Sequence, residues 1–445
     1  METWSEITAL VIFIGVLTLI ITERMHLTIA AFLGAMVLIF LHVLTLDEAI
    51  GYISNSYATL ALFFGVMVMV RAFEPTKIFE YLATQMVVMA KGEGKRLLLA
   101  IVAITTPICA VLPNATTVML LAPLIPPVAQ EINVNFVPLL ILMVFVANSA
   151  GLLTLVGDPA TFIVGSSINM SFLEYLTKLS IGGVIAILII LAVLPILFPT
   201  IWNKKLDNLE QLPHTVINHP RVLMLGGLIV ALVLIMFVVG EKLPIPISPA
   251  AIALLGAVLS LLLTHHSGID SVNHILRDVD WATLIFFMSI FVLIGGLQKT
   301  GVISHGSGLL AVMIGQNIAL GAILLLFLTG FLSSVIPNIP LVVAMVPLLK
   351  EYLVTVGMAD PGILSADFAG QVPPETLPLF AAMMYGATLG GNGTLVGASS
   401  NIVAAGIAEQ HGKPISFGLF MRYGLPIMVL QLIALSIYVA LRFLI

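Results

Sequence analysis

The chain has 445 residues, of which 60% are hydrophobic and only 9% charged, with a formal net charge of −5. Soluble domains carry about 25% charged residues, so this composition excludes a soluble globular protein and points to a polytopic membrane protein. There is no basic stripe suited to nucleic acid, and the single cysteine, Cys109, excludes an intrachain disulfide framework or a cysteine-based zinc site.

In chain order, apolar runs at 6–22, 26–45 and 57–73 are long enough to span about 30 Å of hydrocarbon. The first follows Glu2 and Glu6 and lacks a small-residue cleavage pattern, so it reads as a span and not as a signal peptide. A moderately polar stretch at 76–91 reads as interfacial. The run 97–131 is cut by "LPNATT", the run 137–166 by "TLVGDP", and 177–199 closes the first half. The second half runs 222–239, 247–264, 281–298, an interrupted 317–350, an interrupted 377–408, and 419–443.

The halves match residue by residue. Ala58-Thr59-Leu60 corresponds to Ala282-Thr283-Leu284, Pro113-Asn114 to Pro337-Asn338 and Pro123 to Pro347, all 224 positions apart. Leu33-Gly34-Ala35 meets Leu255-Gly256-Ala257 at 222, and Glu23-Arg24 meets Glu241-Lys242 at 218. Thr154-Leu155-Val156-Gly157 recurs as Thr394-Leu395-Val396-Gly397, 240 positions on, after a polar insertion "MADPGILSADFAGQVPPET". An ordered series with drifting offsets predicts internal duplication. The expected organisation is a first transmembrane repeat at 1–205, a cytoplasmic linker at 206–220 and a second repeat at 221–445.

Backbone that is not helical is tolerated at membrane depth only where it lines a cavity or is buried in protein. Reading 97–131 and 317–350 as re-entrant hairpins with Pro-Asn tips leaves five spans per half, and an odd number inverts the second half. Basic residues agree. With 74–96 cytoplasmic, only Lys178, Lys242, Lys299, Lys350 and Arg442 fall outside, and the other 12 of the 17 fall inside. The acidic loop holding Asp360, Asp367 and Glu375 also falls outside. The predicted fold is thus all-α and polytopic, with two inverted-topology repeats, each of about five transmembrane helices plus one re-entrant hairpin, and broken helices at the midplane. Twelve full spans is the competing topology.

The broken segments carry the candidate chemistry. Unpaired backbone groups in hydrocarbon cost several kcal/mol each, so such breaks persist where an ion or substrate takes them up. At the first break, Thr154 and Gly157 precede Asp158, which with Thr161 can cap a new half-helix whose first position suits Pro159. At the second, Asn392, Gly393, Thr394, Ser399, Ser400 and Asn401 offer amides and hydroxyls. The hairpin tips add Asn114, Thr116 and Thr117, and then Asn338. Four half-helix N-termini aimed inward attract anions, while freed carbonyls and amide oxygens hold cations. Asp158 is the only carboxylate at a break and its partner position is Ala398, which makes it the candidate coupling residue. A lone glycine kink in a membrane helix is ordinarily packing, and Asn114 and Asn338 taken singly read as interhelical glue. His265-His266 and His411 lie at span ends and read as loop or interfacial residues.

"LGGNGTLVGASSNIVAAGIAEQHGKPISFGLFMRYGLPIMV", "DWATLIFFMSIFVLIGGL", "SSVIPNIPLVVAMVPLL" and the "GDP" of the first break resemble the P-protein and arsenite-permease branches of the ion transporter superfamily, with a citrate-transporter-like membrane domain. The resemblance implies an inverted repeat with two hairpins and two broken helices, and secondary transport of small anions, metalloid oxyanions or dicarboxylates with H⁺ or Na⁺. One departure stands out. Relatives continue the first break with Gly-Asp-Pro-Pro-Asn, whereas here Thr161 replaces the final amide, which Asn401 keeps in the other half.

The expected function is a secondary active transporter of a small anion or metalloid oxyanion in the inner or plasma membrane. The alternatives are a Na⁺/H⁺ antiporter and a channel-like anion conductor. No enzyme activity, cofactor or resident metal is expected; H⁺ or Na⁺ is the expected coupling ion, and a transported Na⁺ is the one metal ion foreseen. The expected partners are the lipid bilayer, a small-molecule or ion substrate and a second copy in a homodimer, with no nucleic acid.

Overall fold

The computed structural model describes residues 2–22, 24–205, 217–365, 368 and 370–444. Glu23, Asp367 and most of the expected linker, 206–216, lie outside the described residues. Thirteen helices form the first half. They are α1 Glu2–Ile21, α2 Leu27–Phe40, α3 Leu46–Asn55, α4 Tyr57–Phe73, α5 Ile78–Ala90, α6 Gly94–Cys109, α7 Asn114–Leu121, α8 Ile125–Glu131, α9 Phe136–Ala150, α10 Pro159–Ser167, α11 Phe172–Lys178, α12 Ser180–Leu197 and α13 Pro199–Trp202. The second half adds α14 Pro220–Val239, α15 Pro249–Ser267, α16 Val272–Arg277, α17 Trp281–Lys299, α18 Val302–Ile314, α19 Ile318–Ser333, α20 Asn338–Thr355, α21 Leu377–Gly390, α22 Ser399–Gln410 and α23 Phe417–Val439. The described residues form no strand, only an isolated bridge between Glu93 and Lys205.

Local chemistry sets many of these boundaries. Side-chain oxygens of Asn135, Ser248, Asp280, Asn317 and Ser416 accept from backbone N–H groups at the starts of α9, α15, α17, α19 and α23. Thr45 with Glu48 and Ser171 with Glu174 form capping boxes for α3 and α11.

The chain is an integral multi-pass membrane protein. Nine helices among the described residues are long and apolar enough to cross a membrane. These nine are not the ten expected spans. α2, at 14 residues, and α21, also 14 residues, fall short, and the unbroken α20 qualifies. The expected runs otherwise coincide closely with helices. α3, α16 and α18 were not anticipated. Each is short or interrupted by polar and glycine residues, so hydropathy alone passes over it.

Burial separates centre from rim. In α9 and the turn after it, 94% of Phe136–Leu153 is buried, against 22% in α1 and in α14. α21 is buried from Pro378 to Gly390. It packs so closely on α19 that a Cβ at Gly386 would lie 2.3 Å from the Leu326 carbonyl oxygen, and one at Gly390 2.2 Å from that of Gly330. Small residues that let backbones approach hold helices together where hydrocarbon gives no hydrophobic drive.

Contacts recur in the two halves. A Cβ at Gly34 would meet Val16 of α1 and Leu293 of α17, and one at Gly256 would meet Val233 of α14 and Met69 of α4. These residues sit at corresponding positions of the halves. α2 and α17 run side by side in the same direction. The Thr28 hydroxyl donates to the Ala282 carbonyl at their starts, and Gly296 abuts Leu38 near their ends. α4 and α15 are likewise parallel, with Gly65 against Ala253 and Met69 against Gly256.

Candidate functional site

Four helices begin at one place. Pro113 and Pro337, whose rings fix φ, stand before α7 and α20 with matching dihedrals (φ −53°, ψ 140° and φ −52°, ψ 142°), so that Asn114 and Asn338 open those helices. Asp158 (φ −145°, ψ 139°) and Ala398 (φ −147°, ψ 148°) stand before α10 and α22 in extended conformation. The turns before α7 and α20 are fastened to the breaks. The Thr154 hydroxyl donates to the Ala110 carbonyl and the Thr394 hydroxyl to the Ser334 carbonyl. A Cβ at Gly157 would lie 2.8 Å from the oxygens of Cys109 and Gly151, and one at Gly397 2.9 Å from that of Gly391. Only glycine fits such an approach of backbone to backbone.

The Asp158 carboxylate is fully buried and lies between the starts of α7 and α20. Asn114 Nδ2 donates to its Oδ2 at 2.9 Å, and Asn338 Nδ2 lies 3.3 Å from both of its oxygens. The Ala160 N–H donates to Oδ1 at 2.7 Å, which makes Asp158 the N-cap of α10. From Asn114 the network continues to Asn148. Asn148 Oδ1 accepts from Asn114 Nδ2 (3.1 Å) and the Ser400 hydroxyl (2.7 Å), and its Nδ2 donates to Asn392 and Asn401 Oδ1 (3.1 Å each). Asn392 Nδ2 donates to Gln431 Oε1 (3.0 Å) and the Ser149 hydroxyl (3.3 Å). Gln431 Nε2 in turn donates to the Ser149 hydroxyl (2.9 Å) and the Ala186 carbonyl (3.0 Å). Apart from Asp158, every side chain in this chain of bonds is neutral.

The breaks differ at one equivalent position. Asn401 Nδ2 donates to the carbonyls of Gly391 (2.7 Å) and Thr394 (2.8 Å). Thr161, its counterpart, has one hydroxyl proton. Its Oγ1 lies 2.6 Å from the Asp158 carbonyl, 3.1 Å from that of Leu155 and 3.5 Å from that of Thr154.

Of the residues singled out in the sequence, Asn114, Asp158, Asn338, Asn392, Ser400 and Asn401 thus meet in one network. Thr154, Gly157, Thr161, Gly393 and Thr394 shape the breaks around it. Gly393 sits where a Cβ would meet Met428 and Ser334. Thr116 faces elsewhere, into a small space with Arg71 and Asp280. Thr117 is buried beside the Cys109 thiol, with no oxygen or nitrogen partner for its hydroxyl among the described residues, and Ser399 is half-buried outside the network. Asn148, Ser149 and Gln431 were not anticipated. The available signal was a pair of adjacent polar residues, "NS", just before the first break, and a lone glutamine in the apolar α23.

Helices broken at a shared, buried polar centre inside a multi-pass bundle fit a membrane transporter. The sequence profile of the citrate transporter family matches residues 17–369, and the chain belongs to that family. It is 70% identical over 429 residues to a protein of Synechocystis named as an uncharacterized transporter, with 96% of each chain covered. It is 33% identical over 444 residues to another protein so named from Mycobacterium tuberculosis (98% and 99% covered). The resemblance to the P protein holds. The mouse P protein is 29% identical over 509 residues, matching 95% of this chain and 58% of that protein. In fold, the chain is similar to the YdaH transporter of Alcanivorax borkumensis, whose crystal structure is described as having an unusual topology. The TM-score is 0.56, with 12% identity and 88% and 86% of the two chains covered.

Proposed function

We propose that the protein is a secondary active transporter that carries a small anion or metalloid oxyanion, arsenite-like in size, and that Asp158 is where the coupling H⁺ or Na⁺ binds. One observation carries this reading. A single buried carboxylate accepts hydrogen bonds from the tips of both hairpins, Asn114 and Asn338. A cation arriving at Asp158 replaces those amide donors and changes how both hairpins are held. Ionisable groups inside a membrane mark ion pathways and proton relays.

The substrate side is neutral. Amides recognise a small, weakly charged oxyacid, whereas a tricarboxylate would face Asp158 without a fixed cation in the network. Four buried hydroxyls are without an oxygen or nitrogen partner among the described residues, Thr105 and Thr106 on α6, Thr117 on α7 and Thr388 on α21, and the last two lie on helices that border the network. Thr388 lies on α21, which packs on α10 and α20. Buried polar groups are ordinarily bonded, so Thr117 and Thr388 are available to a bound solute.

Inverted repeats with re-entrant hairpins fit the helix directions. α2 is parallel to α17 and α4 to α15, while the sequence equates α2 with α15 and α4 with α17. Equivalent helices then run in opposite senses if α2 and α4 cross the membrane in succession. Cysteines at 91 and 360 are expected to label from opposite sides, and labelling from one side would remove the inversion.

The engaged state of the Asn114 and Asn338 amides favours one second reading, a Na⁺/H⁺ antiporter in which only cations occupy the centre. Uptake by proteoliposomes under imposed H⁺ and Na⁺ gradients separates the readings. Gradient-driven, saturable arsenite or oxyanion uptake with counterflow supports the first. Cation exchange without solute uptake supports the second, and flux without counterflow indicates a channel.

A further inference from the structure

A cavity of about 290 Å³ lies beside the first hairpin, and its wall is apolar throughout. Ile108, Val111 and Leu112 at the hairpin turn form one side, Val70 and Phe73 of α4 another, and α14 the third. It is open where Gly227 is exposed, at mid-length of α14. The residues of α14 next to that opening are bare and apolar: Leu225 is 44%, Leu228 61% and Leu232 44% exposed. They form a face that, in an integral membrane protein, is covered by lipid.

We infer that the cavity is a binding site for the acyl chain of a membrane lipid, which wedges between the first hairpin and α14. The volume far exceeds the about 10–15 Å³ that a single water requires. Water entering it would find no polar partners, and the polar solute proposed above would find none either. Left empty, the lining would forfeit dispersion contacts on one side. An acyl chain restores them without leaving hydrocarbon, because the opening is continuous with the lipid-covered face of α14. The space beside the second hairpin differs in chemistry. It is lined in part by Thr22, Ser334 and Thr394. The lipid chain therefore acts on the first hairpin, whose tip carries Asn114.

Gly227 supplies the test, because a Cβ there meets nothing within 4 Å. Gly227→Phe places a ring at the mouth of the cavity, with room for its Cβ. The full chain is reconstituted with a phosphatidylcholine carrying a photoactivatable diazirine at mid-chain, and labelled residues are mapped by peptide mass spectrometry. Wild type is expected to label at Ile108–Leu112 as well as at Leu225 and Leu228. Gly227→Phe is expected to lose the hairpin label at least about tenfold while keeping the label at Leu225 and Leu228, which reports intact membrane insertion. No hairpin label in wild type, or equal hairpin label in both proteins, overturns the proposal. Loss of all labels in Gly227→Phe would signal misfolding. Gly227→Leu, a smaller filler, then takes its place with the same two criteria.

Discussion

The first break carries a carboxylate where the second carries a methyl group. Asp158 caps α10, whereas Ala398 leaves α22 with no side-chain cap. The second break compensates with amides. Asn401 holds two carbonyls of its own break, and Asn148 reaches across from the first half to Asn392 and Asn401. At the first break, one threonine hydroxyl serves several carbonyl oxygens, so acceptors outnumber donors. Two segments with matching backbones thus present opposite electrostatics, one rich in oxygen and negative, the other already filled by its own N–H donors. We propose that a cation is drawn to the carboxylate of the first break, while the second break, held by its own amides, serves as a neutral scaffold.

The largest effect that would sharpen this contrast comes from Asn148. Asn148→Ala strips a partner from Asn114, Asn392, Ser400 and Asn401 together. With about 1–3 kcal/mol for each buried group left unpaired, transport is expected to fall at least about 100-fold, and the melting temperature should drop. Thr388→Ala removes a hydroxyl that has no partner at the matching position, so it should lower transport and leave the melting temperature unchanged. Equal thermal shifts in both variants would erase the distinction between the halves.

Smaller and symmetric effects are expected at the glycines. Gly157→Ala and Gly397→Ala each press a methyl group against backbone oxygen, at 2.8 Å and 2.9 Å. Overpacking of this kind costs about 1–3 kcal/mol. Thermal unfolding in detergent should show similar losses, and a large loss in only one would mean that the breaks are not built alike.

The smallest effect lies outside the membrane. On α16 between α15 and α17, the hydrogen bond to Asp270, then the charges of Asp270 and Asp278, hold His274 above its usual protonation range. Its contribution to the loop is therefore complete below the imidazole's unfolded value of about 6.5 and is lost as pH rises through the elevated folded value. Asp270→Asn should lower the His274 midpoint measured by NMR and leave transport untouched. A change in transport would tie this loop to the site.

Much of this was legible in the sequence. The four helix starts could be placed because proline, glycine and asparagine have backbone preferences that show even within apolar runs, and because the spacing repeats. The start of the site at Asn114, Asp158, Asn338 and Asn401 followed from that. Asn148, Ser149 and Gln431 were hidden for the opposite reason. They sit inside regular helices, α9 and α23, where nothing local says which face points to the centre. α9 is apolar nearly all round, so its sequence has no polar face from which to read an orientation. Thr116 shows the converse. It lies next to the hairpin tip in sequence, yet one helical step turns it towards Arg71. Neighbouring positions on a helix do not share a face.

The proposed coupling of the cation to movement of the hairpins rests on Asp158. Asp158→Asn keeps the size of the side chain and can still accept from Ala160, but it cannot bind a cation through charge. In proteoliposomes loaded with substrate, this variant is expected to retain equilibrium exchange of labelled substrate and to lose uptake driven by an H⁺ or Na⁺ gradient. Gradient-driven uptake at the wild-type rate would contradict the account and reduce Asp158 to a helix cap.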